Sequence, residues 1–181
     1  MKRHAGLEPG TLGAPAPSPP EEDYRLSSNL FSPAGTGARI NTSYSLPLGI
    51  YIKTDDSRAP LIEFCPVQPF AAESSGRGYR TRGRACPDGA VPILKPVVAV
   101  AGDLVSLAVD GIRVNGKLLP KTAPFASSGR SLHPWPFGTY VVETGTVWVA
   151  STYNRGSYDT RYMGPIRTAQ IRARLRPLWL L

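Results

Sequence analysis

Residues 104–119 read Leu104-Val105-Ser106-Leu107-Ala108-Val109-Asp110-Gly111-Ile112-Arg113-Val114-Asn115-Gly116-Lys117-Leu118-Leu119. The dipeptides Asp110-Gly111 and Asn115-Gly116 are strong signals for two-residue hairpin turns, because both turn positions need positive φ. The segments before, between and after these turns are short and rich in branched apolar residues, as strands are. The run therefore predicts a three-stranded antiparallel meander and a β-rich domain around it.

Further strand patterns lie on both sides of this meander. Residues 92–100 are nearly all apolar, as in a strand that is buried on both faces. Near the C-terminus Ile171, Ala173 and Leu175 alternate with arginines, which predicts a last strand with one basic face. The remaining candidates are Leu48–Lys53 and two strands within Thr139–Thr152, separated at Thr144-Gly145. Together these patterns predict a mainly β fold with few or short helices.

The composition supports this fold class and excludes several others. Of the 181 residues, 18 are glycine and 19 are proline, which argues against a helical bundle or a coiled coil. No run of about 18 apolar residues occurs, so we expect no transmembrane helix in the chain as given. Residues 1–38 include a dense proline run, Ala14–Pro20, and predict a flexible tail rich in Pro and Gly. The folded domain is expected over residues 39–181.

Three short segments contain residues that could carry chemistry. In the first, Asn41–Tyr51, Ser45 precedes Leu46-Pro47 in a turn before a strand, a place where serine is most often only a turn residue. In the second, Lys95 lies within the apolar strand. Burial would lower its pKa from about 10.4 and make the amine a general base near neutral pH. Alternatively, the strand is near an edge and the ammonium reaches water.

The third segment is Ser157-Tyr158-Asp159-Thr160-Arg161-Tyr162. In an extended chain Ser157, Asp159 and Arg161 would point to the same side and could form a hydrogen-bonded network. A solvated surface ion pair is the alternative explanation of the same pattern.

The order of these segments resembles that of type I signal peptidases. Ser43-x-Ser45-x-Pro47 comes first, then Lys95 ahead of Gly102-Asp103, then Ser157-x-Asp159-x-Arg161. The longer first segment, through Gly49 and Tyr51, looks more like the TraF-type conjugative transfer peptidases. The same holds for three other short matches: Phe64-Cys65-Pro66, Arg77-Gly78-Tyr79 and Cys86-Pro87. The resemblance extends from about Arg39 to the C-terminus and implies a signal-peptidase-like β domain.

The resemblance also implies a role for each site residue. Ser45 would be the nucleophile of a serine endopeptidase, and Lys95 would be the base that accepts its proton. The backbone N–H of Ser45 and the hydroxyl of Ser43 would form the oxyanion hole. Ser157 and Asp159 would orient Lys95, and Arg161 would hold Asp159. Water would resolve the acyl-enzyme, or an amine would do so and close a conjugative pilin into a ring.

Several further expectations depend on the same resemblance. The TraF-like context of Cys65 and Cys86 implies a disulfide, as in a periplasm, although two reduced cysteines are the alternative. The resemblance places the protein at the periplasmic face of the inner membrane, where members of the family are normally held by an N-terminal transmembrane helix. Here a polar tail stands in that place. Pro96 also departs from the family, in which arginine usually follows the lysine.

No cofactor and no metal are expected, because two cysteines and two histidines are too few for common zinc sites. The expected partners are a pilin precursor or another exported protein. Net charges of +3 in residues 66–85 and +5 in residues 161–181 suggest an anionic membrane surface as well. No DNA-binding signature accompanies these arginines, which argues against nucleic acid.

Two alternative functions stay open from the sequence. One is a self-cleaving, repressor-type regulator with the same Ser-Lys dyad, cut between Ala34 and Gly35 in the tail. The other is a non-enzymatic, basic nucleic-acid-binding module built around the arginine clusters.

Overall fold

The computed structural model describes residues 37–124 and 132–181, together with the backbone of Leu30 and Phe31. These residues form two antiparallel sheets, two short α-helices and a 3₁₀ helix at Thr168–Gln170. The strands are β1 (Leu30–Phe31), β2 (Ala38–Asn41), β3 (Gly49–Thr54), β4 (Leu61–Phe64), β5 (Ile93–Ala99), β6 (Leu104–Ala108), β7 (Gly111–Val114), β8 (Lys117–Leu118), β9 (Gly138–Val141), β10 (Thr146–Val149), β11 (Ile166–Arg167) and β12 (Ile171–Leu180). The helices are α1 (Phe70–Gly76) and α2 (Thr160–Met163). The predicted mainly β fold is confirmed.

The smaller sheet contains the predicted meander. Its strand order is β8-β7-β6-β9, so the predicted meander is present and β9 is added beside β6. The first turn lies one residue earlier than predicted, because Ala108 pairs with Gly111 and the turn is formed by Val109 and Asp110. Asn115 and Gly116 have φ values of 49° and 82°, the positive values that the second turn requires. Val105, Leu107 and Ile112 point inward and pack around Trp148 of β10, which joins this sheet to the larger one.

The larger sheet has the order β1-β2-β3-β12-β4-β5-β10-β11. The apolar strand β5 lies between β4 and β10, and its side chains on both faces are buried or half-buried, which explains why its sequence lacks an exposed face. Pro96 has no N–H to donate, but its carbonyl still accepts a hydrogen bond from Ala150 N at 3.2 Å. The C-terminal strand β12 is inserted between β3 and β4, so the last residues of the chain lie beside the start of β3.

Two features were not anticipated from the sequence. Within the range assigned to the tail, Leu30 and Phe31 pair with Asn41 and Ile40 of β2. The short helix α1 lies inside the loop that is closed by the Cys65–Cys86 disulfide. Among the described residues, none of the helices is long and apolar enough to cross a membrane.

Candidate active site

Ser45 lies in the loop of residues 42–48 that joins β2 to β3. The ends of this loop are fixed by the backbone pairing of Asn41 with Gly49. Ser45 is partly exposed, and its Oγ accepts a hydrogen bond of 3.2 Å from Ser157 Oγ. Because Ser45 is the acceptor in that contact, its own hydroxyl proton is not used there.

Gly49 ends this loop at a place where a side chain would not fit. A Cβ at this position would lie 2.2 Å from the carbonyl oxygen of Trp179, because β12 passes directly against it. The backbone φ of +152° is also one that residues with a side chain rarely adopt. Leu181 N donates to Leu48 O at 2.9 Å, so the C-terminus closes over the same loop.

Lys95 is buried in the centre of the larger sheet, on β5. Its residue exposure is 4%, and it lies opposite Ile62 of β4. Burial lowers its pKa to about 8, while the charge of Asp159 acts in the opposite direction and the charge of Arg161 lowers it further. The alternative of an edge lysine whose ammonium reaches water is therefore wrong. A lysine with this pKa is partly neutral near physiological pH and can accept a proton.

Asp159 and Arg161 form a fully buried, two-point ion pair. Arg161 Nε and Nη2 donate to Asp159 Oδ1 and Oδ2, each at 2.8 Å. The other guanidinium contacts include the carbonyls of Arg155 and Ser157, both at 2.8 Å. The alternative of a solvated surface pair is therefore wrong, and Arg161 ties the loop of residues 155–157 to the carboxylate.

The sequence pattern suggested an extended backbone for residues 157–161, but the structure has a helix that begins at Thr160. Asp159 is instead the N-cap of α2, and its side chain accepts from the N–H of Arg161 at 3.2 Å. Aspartate is favoured at this position because its carboxylate satisfies an N–H at the start of a helix that has no intrahelical partner. The turn brings Ser157, Asp159 and Arg161 together by a different route from the one predicted.

Ser43 is buried, and its side chain is already hydrogen-bonded to Asn41. Its hydroxyl donates to Asn41 Oδ1 at 2.8 Å, and its N–H donates to the same oxygen at 3.1 Å. A serine hydroxyl has one proton, so Ser43 must give up its bond to Asn41 before it can donate to an oxyanion.

The sequence reasoning missed two residues of the site, Asn41 and Ser151. Ser151 Oγ donates to the carbonyl of Ser45 at 2.6 Å, and Ser151 N donates to Asp159 Oδ2 at 3.0 Å. Ser151 thus connects the loop of Ser45 to the buried ion pair. The sequence feature that could have indicated Ser151 is its place in a turn, two residues after the end of β10. In this turn its Oγ accepts hydrogen bonds from the N–H groups of Tyr153 and Asn154.

The loop that is closed by the disulfide also contacts the segment that carries Ser157 and Asp159. Cys65 and Cys86 are joined as the resemblance implied. Tyr158, which stands between Ser157 and Asp159, donates through its hydroxyl to Glu73 of α1 at 2.7 Å. Closing a loop of this length stabilises a fold by about 3 kcal/mol in the chain-entropy model.

The arginines of this loop are less available to a partner than their number suggests. Arg80 is buried and pairs with Asp88 at 2.5 Å, and Arg77 pairs with Glu73 at 3.0 Å. Arg82 and Arg84 are exposed. Two of the four arginines are therefore engaged in ion pairs within the loop. His133 is exposed, and no group of three potential metal ligands occurs in residues 37–124 and 132–181.

The comparisons with known proteins show the family to which the chain belongs. A family model described as "Signal peptidase, peptidase S26" matches residues 53–179, a range that includes Lys95 and residues 157–161 and begins after Ser45. The fold and this match define a peptidase-like protein, and the chain belongs to the signal peptidase family, peptidase S26. Within that family it is of the TraF type, as its curated relatives indicate.

Two of these relatives are bacterial transfer proteins. The plasmid transfer protein TraF of Escherichia coli is 36% identical over 147 residues, which are 78% of this chain and 82% of the relative. The probable conjugal transfer protein TraF of Sinorhizobium fredii is 39% identical over 140 residues, 75% of this chain and 73% of the relative. Among solved structures, a signal peptidase I of Enterococcus faecalis covers 68% of this chain and 99% of its own, at 15% identity and a TM-score of 0.37.

Proposed function

We propose that this chain is a serine endopeptidase in which Ser45 is the nucleophile and Lys95 is the general base. The observation that carries the proposal is the buried Lys95, whose pKa is lowered to about 8 and which interacts with the charge of Asp159. Ser151 connects that carboxylate to the loop of Ser45. Lysine is seldom fully buried without a partner. Acceptance of the Ser45 proton by the neutral amine would give the burial of Lys95 a chemical reason.

The proposed reaction follows the logic of acyl transfer. The Lys95 amine takes the Ser45 proton while Oγ attacks the scissile carbonyl, and the resulting ammonium then protonates the leaving amine. The backbone N–H of Ser45 and the Ser43 hydroxyl stabilise the oxyanion, once that hydroxyl has turned away from Asn41. Asp159, held by Arg161, favours the ammonium form between these two steps.

The proposed substrate is the precursor of a conjugative pilin. This choice is supported by the relatives, which are named plasmid transfer and conjugal transfer proteins. The extended segment before the cut, with small residues, would pair with an exposed strand edge. Attack by water on the acyl-enzyme would release a linear product, and attack by the amine at the other end of the pilin would give a ring.

We place the enzyme at the periplasmic face of the inner membrane. The disulfide supports an oxidising compartment. The end of β12, which lies beside the loop of Ser45, supports a membrane surface as partner because it combines basic and large apolar side chains that are exposed. These residues are Arg176, Leu178, Trp179, Leu180 and Leu181. Arginine attracts anionic headgroups, and tryptophan favours the interface.

The decisive test is cleavage of a pilin-precursor peptide by matched variants. Ser45→Ala should abolish turnover, while Ser75→Ala, at an exposed serine of α1, should leave it unchanged. Lys95→Arg should also be inactive because guanidinium does not lose its proton, while Lys117→Arg, at an exposed lysine of β8, should be fully active.

The pH dependence provides a second readout from the wild-type chain. Lys95 acts as a base only when neutral, so kcat/KM should rise with pH up to about 8 and level off above it. Turnover that persists in folded Ser45→Ala, or a profile that falls as the pH increases from 6 to 8, would rule out the assignment. Mass spectrometry of the product separates a linear peptide from a ring, which is lighter by one water.

A further inference from the structure

The loop that carries Ser45 is held from its inner side by one buried carboxamide, that of Asn41. Its Nδ2 donates to the carbonyls of Ser43 at 3.0 Å, Leu46 at 3.3 Å and Pro47 at 3.1 Å. Its Oδ1 accepts both the N–H and the hydroxyl of Ser43. Every donor and acceptor site of this carboxamide is therefore directed at residues 43–47, on both sides of Ser45.

These contacts fix the direction of the loop backbone. The carbonyl of Ser45 is captured separately by Ser151, and the carbonyl of Pro47 also accepts from the Tyr51 hydroxyl at 2.6 Å. Four carbonyls of the loop thus point into the protein. With these carbonyls held, the half-buried Ser45 is placed with its Oγ against Ser157 Oγ, at 3.2 Å.

Asn41 also controls the proton of Ser43. As long as the Ser43 hydroxyl donates to Asn41 Oδ1, it does not donate elsewhere. When it leaves, Oδ1 is not orphaned, because the N–H of Ser43 still donates to it. The exchange of the hydroxyl from Asn41 to an oxyanion therefore leaves no buried acceptor without a partner, which would otherwise oppose it.

We infer that Asn41 is a positioning residue for acyl transfer, which fixes the loop of Ser45 and holds the Ser43 hydroxyl until the oxyanion forms. The inference depends on the proposed peptidase function. Asn41 is buried beneath the loop of Ser45, so we do not expect it to contact a bound peptide. The proposed effect is therefore on the transition state more than on the binding of substrate. Its removal should therefore lower kcat and leave KM nearly unchanged.

The test compares three variants in the cleavage assay with a peptide that has small residues before the scissile bond. Asn41→Ala removes all five contacts, and Asn41→Ser keeps only an oxygen near the N–H of Ser43. Asn115→Ala is the matched control, since it removes an asparagine that also makes two side-chain hydrogen bonds, but in the exposed turn between β7 and β8. We expect kcat to fall about 100-fold in both Asn41 variants, the effect of a misplacement of about 1 Å, and to be unchanged in the control.

A second readout keeps the test independent of catalysis. Amide hydrogen exchange, followed by mass spectrometry, should accelerate in residues 42–48 of both Asn41 variants and not in Asn115→Ala. The inference is overturned by an unchanged kcat, by a change in KM alone, or by an equal loss of kcat in the control. If the wild-type chain shows no turnover that depends on Ser45, the proposed function fails and exchange alone decides: faster exchange supports the positioning of the loop, and unchanged exchange overturns it. Should Asn41→Ala fail to fold, Asn41→Ser gives the same comparison.

Discussion

Charged side chains are buried in two places within or beside the larger sheet, and the two places differ in their balance of charge. Arg39 and Glu63 form a pair of one cation and one anion, with Nε 2.6 Å from Oε2. The candidate active site instead has two cations, Lys95 and Arg161, and one carboxylate, Asp159. A buried pair of opposite charges is internally compensated, whereas an extra buried cation is not.

The consequence of this difference is chemical. Burial is the main reason that the Lys95 pKa falls to about 8. Arg161, which takes both oxygens of Asp159, lowers this pKa further, and the charge of Asp159 opposes the fall. The register of the sheet keeps Glu63 from neutralising Lys95. Glu63 lies opposite Leu94 and Lys95 lies opposite Ile62, so Glu63 and Lys95 face opposite sides of the sheet. The Arg39–Glu63 pair contributes to the fold, whereas Lys95 of the second cluster can gain or lose a proton near pH 8.

The largest effect should come from removal of the excess cation. Lys95→Met should lower kcat/KM by about 10³-fold or more, since the general base is lost. The same change should raise the free energy of unfolding at pH 7 by up to about 3 kcal/mol, because the folded state no longer holds a disfavoured charge. The measurements are peptide cleavage and urea unfolding of both proteins.

The sign of the stability change depends on pH. Below about 8 the lysine is charged in both the folded and the unfolded chain, so the cost is fully present. Between about 8 and 10.5 the folded chain has lost the proton and the unfolded chain still binds it, so wild-type stability rises with pH. The advantage of Lys95→Met should therefore disappear above pH 10.5. Lys117→Met, at an exposed lysine, is the control, and an equal gain there would refute the argument.

The next effect follows from removal of the single carboxylate. Asp159→Asn leaves Arg161 buried without its counter-charge, which should cost about 3–5 kcal/mol of unfolding free energy. Because Asp159 raises the pKa of Lys95, its loss should lower that pKa further. The alkaline rise of kcat/KM for the remaining activity should then move to lower pH. An unchanged pH profile would show that the charge of Asp159 does not act on Lys95, and a shift to higher pH would contradict the sign of its effect.

The sequence predicted the parts of this arrangement that depend on local pattern. The dipeptide Asn115-Gly116 identified its turn because turn geometry is decided by two residues, whereas Asp110-Gly111 located the first hairpin but placed its turn one residue too late. The apolar run around Lys95 identified a central strand, and burial of that strand was enough to predict the direction of the lysine pKa. These predictions needed no knowledge of what packs against the strand.

The parts that the sequence did not predict depend on contacts between distant segments. Ser151 reaches the carbonyl of Ser45 across 106 positions of the chain, and no local pattern contains that contact. The pairing of Arg80 with Asp88 was missed because composition counts charges without locating their partners. The helix α1 was missed because its sequence, Phe70-Ala-Ala-Glu-Ser-Ser-Gly76, has serine and glycine where strong helix formers would be expected.

The smallest effect on activity and stability should come from changes in the Arg39–Glu63 pair. Arg39→Met should cost stability at the lower end of about 3–5 kcal/mol, because Glu63 stays buried while the Arg39 side chain was still 10% exposed. The double variant Arg39→Met/Glu63→Leu should recover most of that loss, since apolar side chains replace both charges. Urea unfolding measures both changes, and kcat/KM should stay at the wild-type value throughout. If the double variant lost turnover, or if the single variant moved the pH profile, the two buried charge sites would be coupled. The low pKa of Lys95 could then not be assigned to burial and to the charges at its own site alone.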